Sequence, residues 1–568
     1  MTRRDAVLLS LAAAAPAQSS EDARFVAAAN ECLREYLEDS PEAATPLGEH
    51  RYDHRLSDVS NSGRARTLAM YRSQQKRLEA IDAGKLTGAN RIDYEILRDR
   101  VEGRIWSATV LREEEWNPMR YNVGSSIYML LERDFAPLPQ RLESVRRRLE
   151  SVPEWLDAAR ANLKEAASIH TETAISQNKG TINLIRGVLD SYLAKSPAMR
   201  ASVAPAQAKA IAALEDWGKW LASDLLPRAN RDFRIGPEVY RAKLRHTLAS
   251  GLSPQEIRVR AERDLRETQQ AMYEVAVGLH RKYFPEGHRD DRPSVIRAVL
   301  DKLAESRPRA DTIVEQAKRE LADATAFVRR HRLVTVYDDP LRIVEMPEFQ
   351  RGVAVAGCAA PGPYEKNGMT FYNISPPPVH WTPGQVESYF REYNDYMLRN
   401  LTVHEAMPGH YLQRTHSNRF HAPTLVRAVF SSGTFTEGWA VYAERIMVEA
   451  GYGGPEVRMQ QLKMRLRTIL NAIIDQGIHA GGMTEQQAID LMLNEGFQER
   501  SEAAGKWRRA CLTSTQLSTY FVGATELDQL RDDYAAKFGP IRDKKAFHDR
   551  LLSFGSPPPR YARELMGL

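Results

Sequence analysis

Cysteine is scarce in this chain of 568 residues: Cys32, Cys358 and Cys511 are far apart and form no CxxC pair. That excludes a cysteine-built metal cluster, and it leaves at most one disulfide, whose pair the sequence does not choose. Buried free thiols are the expected state of all three. Charge of one sign is scarce as well. The formal net charge is +5 and no Lys/Arg run is interleaved with aromatics, so nucleic acid is not an expected partner. Beyond the N-terminus no apolar run approaches the roughly 20 residues that a membrane span requires. No fixed-period repeat points to a solenoid, and no stretch is biased enough in composition to suggest disorder.

The N-terminus reads differently from the rest. Arg3 and Arg4 precede an apolar run from Ala6 to Ala15 and the small-residue stretch Ala15-Pro16-Ala17-Gln18. That is the layout of a cleavable export signal, here expected over residues 1–18. The segment Thr2 to Leu8 also resembles a twin-arginine signal, so the mature protein is expected to be periplasmic or secreted.

From about Glu21 to Arg330 apolar residues recur at helical spacing, as in Phe25, Ala29, Cys32 and Tyr36 or in Leu142, Val145, Leu149 and Val152. Breaks are expected at Trp116-Asn117-Pro118, at Ser151-Val152-Pro153 and across Pro285 to Asp291. Between Leu333 and Trp381 the pattern shifts to short β-prone runs: Leu333 to Tyr337, Arg342 to Met346, Gly352 to Ala356 and Met369 to Ile374. Thr382, a plausible N-cap followed by Pro383, returns the chain to helix through residues 404–410, and Thr484 with Gln487 reads as a capping box. The expected fold is mainly α, a large helical body with a small β-sheet preceding a metal-binding helix. Residues 19–330 form a helical scaffold region and 331–568 a metal-binding catalytic region packed against it.

The chemistry concentrates in His404-Glu405-Ala406-Met407-Pro408-Gly409-His410. A zinc hydrolase needs two neutral imidazoles, a carboxylate ligand, an open position for water, and a base to take that water's proton. His404 and His410 are six residues apart, which on a regular helix leaves them about 120° out of register. Pro408 cannot donate to the carbonyl of His404, and Gly409 tolerates unusual backbone angles, so a kink there is expected to bring the two rings together. The alternative is that His404 and Glu405 lie on a solvated helix face and Pro408-Gly409 merely ends the helix.

This run, continuing through Tyr411, Leu412 and Gln413, resembles the signature of a large bacterial family of unknown function, number 885, whose members are regarded as zinc peptidases. The likeness covers nearly the whole mature chain. It includes Tyr372-Asn373, Thr436 to Glu444, Asp475-Gln476-Gly477-Ile478-His479 and Gln516 to Gly523. Gln476 stands where a Thr is usual, and Leu512 to Thr515 replaces a segment that usually ends in Pro-Gly, which bears on the placement of Tyr520.

With the resemblance in hand, the third metal ligand is assigned to Glu437. Glu444, seven residues on and about 20° away on the same helix face, is expected to accept from a ligand histidine; the reverse assignment of the two stays open. His416 and His421 are competing ligands. His479 and Tyr520 are the candidates for stabilising the oxyanion. The edge of the sheet at Met369 to Ile374 could hold an extended peptide by strand addition. The resemblance implies Zn2+ on His404, His410 and Glu437, Glu405 as general base, and short peptides as substrate, held in a deep active-site cleft by analogy with other helical zinc peptidases. Two readings compete with it: hydrolysis of a non-peptide amide or ester, and a catalytically silent helical binding protein.

Overall fold

The structure is a computed structural model that describes residues 20–287, 291–346, 355–365, 368–378 and 381–568. The expected signal peptide lies outside them. Helices begin where the chain supplies a cap. Ser253, Thr382 and Thr484 each accept from the N–H three residues on, while Glu256, Gln385 and Gln487 return a bond to the cap's own N–H. Pro254 and Pro383 sit in the first turn, where no N–H is needed.

The expected break at Pro153 does not occur: helix Leu138–Asn162 runs straight past it. A proline in a helix interior costs about 3 kcal/mol. That is offset here by the fully buried stripe Leu142, Val145, Leu149, Val152 and Ala159, which continues across the proline. The return to helix after Thr382 is also more broken than its periodicity suggests. Helix Pro383–Glu392 stops at Tyr393, and Asn394 caps a separate helix, Asp395–Glu405, by accepting from the N–H groups of Tyr396 and Met397.

The sheet has three strands, Leu341–Glu345 (β1), Ala356–Ala359 (β2) and Thr370–Ile374 (β3), in the order β1-β3-β2. β1 runs parallel to β3 and β2 antiparallel to it, with Ile343 and Cys358 both opposite Tyr372. β3 is therefore central, which explains why four of its five residues are buried. The expected edge at Met369 to Ile374 is corrected: both sides of β3 are taken, and β2 is an edge strand. Leu333 to Tyr337 forms no strand. Its backbone is claimed by side chains instead, the Thr335 N–H by Asp549 and the Leu333 carbonyl by His548. Of the run Gly352 to Ala356, the first three residues lie outside the described set.

Packing ties the N-terminal helices to the C-terminal ones. Phe25 and Tyr94 share a core with Val426 and Tyr561, Met272 and Val299 with Met459 and Leu466, and Tyr240 with Ile473 and Phe521. Cys32 and Cys511 are buried and Cys358 half-buried, all three as free thiols. Among the described residues no helix is long and apolar enough to cross a membrane.

One buried histidine makes acid stability predictable. His548 donates from Nδ1 to the Leu333 carbonyl (2.7 Å) and accepts from the Tyr442 hydroxyl (2.9 Å). Burial, only partly opposed by the Leu333 bond, pushes its pKa down to about 4. The folded value is depressed below the unfolded one of about 6.5, so stability is complete above pH ~6.5 and lost as pH falls toward 4, by up to about 3 kcal/mol. The melting temperature of His548→Gln should approach that of the wild type as pH drops from 7 to 4; a gap that stays constant would contradict the assignment.

Candidate metal centre

Three helices and a broken turn assemble the site. His404 and Glu405 end helix Asp395–Glu405, and His410 begins helix His410–Ser417. Between them the chain leaves helical geometry at Ala406 (φ −126°, ψ −74°), and the Met407–Pro408 peptide is cis. The turn folds back onto the helix it has just left. The Gly409 N–H bonds the Val403 carbonyl (2.9 Å), and Trp439 Nε1 donates to the Pro408 carbonyl (2.9 Å). Gly409 lies so close to that helix end that a Cβ would sit 1.8 Å from the His404 carbonyl oxygen. The predicted kink is present, and it sets the two imidazoles edge to face with centroids 4.8 Å apart.

Glu437 reaches the same point from helix Gly433–Glu449, which Ser432 caps. Its Oε2 is 3.7 Å from His404 Nε2 and 3.4 Å from His410 Nε2, and it has no hydrogen-bond partner. Two ligands each about 2.1 Å from a tetrahedral ion lie about 3.4 Å apart. The three side chains thus fit a shared divalent cation, with one ligand atom from each within 4.8 Å of the others. They fit it better than a network of direct hydrogen bonds.

Behind the first ring, Glu444 is completely buried. One of its oxygens bonds His404 Nδ1 (2.7 Å) and the other accepts from Asn400 Nδ2 (2.7 Å). With Nδ1–H donating backward, the Nε2 lone pair faces Glu437. Glu437 thus faces the two Nε2 atoms, and Glu444 lies on the far side of the His404 ring. Glu405 is buried and its Oε2 has no partner. Burial raises its carboxyl above the ordinary range, against the opposing charges of His410 and His404. Burial also works against ionisation of Glu437, but there the two histidines prevail and hold it well below the usual carboxylate value. His404 is the mirror case: burial would lower it, and the neighbouring carboxylates of Glu437 and Glu444 raise it well above the usual imidazole value. His404, Glu405, His410 and Glu437 open onto a cavity of about 320 Å³, whose other walls include Val355 to Cys358 at β2 and the helix Arg500–Leu512.

The family model for bacterial proteins of unknown function numbered 885 (DUF885) matches residues 41–566. The chain belongs to this family. A solved structure from Shewanella oneidensis, called a "putative lipoprotein of unknown function", is similar over 96% of this chain and 100% of its own, with 36% identity and a TM-score of 0.80. A second, a "putative lipoprotein" from Colwellia psychrerythraea, shares the fold at 17% identity, with a TM-score of 0.79 over 97% of this chain and 99% of its own. No curated protein matches.

In this DUF885 chain the two expected oxyanion donors part company. Tyr520 reaches the cavity: its ring stacks 6.5 Å from that of His404, and its hydroxyl accepts from Arg509 Nη2 (2.9 Å), leaving its own proton free to donate. What brings it there is a close helix crossing at Gly438 and Gly523, where a Cβ on Gly523 would lie 1.9 Å from the Thr434 carbonyl. His479 does not reach the cavity. It is buried, and its Nε2 is bound to the carbonyls of Ala510 (2.8 Å) and Thr513 (3.1 Å), so it anchors the end of helix Arg500–Leu512 instead. His416 bonds the Thr335 carbonyl and His421 is exposed, so neither competes for the metal position.

Sequence reasoning missed Asn400, although its position four residues before His404 places it on the same helix face, and it missed Lys506 and Arg509, which carry no motif. Replacing Glu444 by Gln removes a charged acceptor from His404 while keeping its volume. Metal affinity of the variant should fall about 10- to 100-fold by chelator competition; unchanged affinity would remove Glu444 from the account.

Proposed function

We propose that this protein is an extracytoplasmic zinc peptidase that cleaves short peptides. The observation that carries the reading is the convergence of His404 Nε2, His410 Nε2 and the Glu437 carboxylate beside a buried, unpartnered Glu405 in one cavity. Zinc bound there would supply an acidified water near neutral pH and polarise a carbonyl. Glu405 accepts the proton released as water adds to the peptide carbonyl and delivers it to the amine nitrogen as the C–N bond breaks. The Tyr520 hydroxyl, itself held by Arg509, donates to the oxygen on which charge develops. β2, an edge strand on the cavity wall, offers backbone groups to an extended peptide in place of the central β3. Relatives called lipoproteins and the export-type N-terminus support a position outside the cytoplasm.

The test is metal analysis of the purified protein, followed by digestion of a mixed peptide library. About one zinc per chain with discrete cleavage products is expected. Zinc without peptide turnover would shift the reading to another amide or ester, and a protein that takes up no divalent ion would defeat it; manganese, iron or cobalt in its place would keep the chemistry and change the ion.

A further inference from the structure

One wall of the cavity, lined by Arg467, Lys506 and Arg509, carries more positive charge than the carboxylates beside it neutralise. Glu502, on the helix that forms that wall, is fully engaged: one oxygen accepts from Arg467, the other from the Tyr393 hydroxyl (2.8 Å). Lys506, one turn further along the same helix, is 5% exposed, and its ammonium is 3.7 Å from the Glu502 oxygen that Arg467 already holds, beyond hydrogen-bond reach. Arg509 follows three residues later. It donates to two uncharged acceptors, Tyr520 (2.9 Å) and Gln516 (3.0 Å), and among the described residues it has no carboxylate within ion-pair distance. Lys506 and Arg509 both line the cavity that holds Glu405 and the metal triad.

Crowding Arg467, Lys506 and Arg509 around Glu502, with Glu392 the next carboxylate and already bonded to Lys463, is costly unless an anion completes the set. Burial and the neighbouring guanidinium of Arg467 disfavour the charged form of Lys506, an imbalance that an incoming negative group would correct. A free amino terminus would be repelled from this wall. The position is set by a short relay: the Tyr520 ring stacks on His404, the Tyr520 hydroxyl meets Arg509, and Lys506 lies about 4.5 Å further along the helix axis.

We propose that Lys506 and Arg509 form a carboxylate subsite that holds a substrate's acidic group close to the scissile bond, so that the protein acts on peptides near a free C-terminus or next to an acidic side chain. This rests on the peptidase reading above and specifies its substrate class. Lys506 is a binding determinant, not a catalytic residue.

The experiment measures binding by calorimetry to the metal-loaded Glu405→Gln protein, in which turnover is slowed enough for binding to be read. Three versions of one tetrapeptide are compared: the free acid Ala-Phe-Ala-Ala, its C-terminal amide, and the amide with Asp as the last residue. The free acid, the Asp amide or both should bind at least 10-fold more tightly than the neutral amide, and which of them does so distinguishes a terminal from a side-chain carboxylate. Lys506→Met should erase the preference and Lys506→Arg should retain it, with melting temperatures confirming that both variants fold. Equal binding of all three peptides, no binding of any, or a preference that survives Lys506→Met would overturn the subsite. Cleavage of the same peptides by the wild type is read separately: turnover without acid preference defeats the subsite alone, and acid-selective binding without turnover defeats the peptidase reading alone.

Discussion

Replacing Glu405 by Gln is expected to lower kcat for peptide cleavage by about 10²- to 10⁴-fold, the range lost when a positioned general base is removed. Metal content should stay at the wild-type level. Both halves follow from the geometry. Glu405 is adjacent to His404 in sequence, yet it is outside the set of atoms that meet at the metal position, and its Oε2 bonds nothing that the substitution would strand. The amide has nearly the volume of the carboxyl, so packing is preserved, and removing a buried ionisable group leaves the melting temperature level or slightly higher. Because the proton transfer belongs to the transition state, kcat and kcat/KM should fall together. Steady-state kinetics on a cleaved peptide, paired with metal analysis, decides the matter. A variant that turns over near the wild-type rate removes Glu405 from the chemistry, and one that loses its metal makes Glu405 a ligand.

The second large effect falls on a residue with no side chain. Gly409→Ala places a Cβ 1.8 Å from the His404 carbonyl oxygen and 2.4 Å from that of Val403, both backbone atoms of the helix that carries the first ligand. Neither atom can rotate away. Relief requires the turn to lift off the helix end, which breaks the Gly409–Val403 bond and the Trp439–Pro408 bond and moves His410 away from His404. The cost expected of such overpacking is about 3 kcal/mol, with a lower melting temperature and a greater than 10-fold loss of metal affinity. Chelator competition and thermal melting measure the two effects independently. If Gly409→Ala binds metal as the wild type does, the close approach does not hold the ligands together.

Local chemistry was legible in the sequence. Helix starts were readable because their signals are local, Thr382 as a cap followed by Pro383 and Thr484 as a cap with its reciprocal partner Gln487 three residues on. The kink between His404 and His410 was readable for the same reason: a missing donor at Pro408 and a missing side chain at Gly409 act on the adjacent turn. Proline alone was a poorer guide at Pro153, where buried residues on either side kept the helix intact. The pairing of Glu437 with Glu444 was visible as two carboxylates on one helix face, but which of them lies behind His404 was visible only in the fold, where Glu444 meets His404 Nδ1.

The sequence alone therefore determined the mainly helical class and the distortion that lets His404 and His410 meet, since each depends on interactions between near neighbours in the chain. Tertiary structure decided that β3 is central and β2 an edge strand, that His479 secures a helix end away from the cavity, and that Lys506 and Arg509 face the metal position. Those outcomes depend on which distant segments share a backbone edge or a buried charge. That partition is set by packing the whole chain at once, so spacing within one segment carries no record of it.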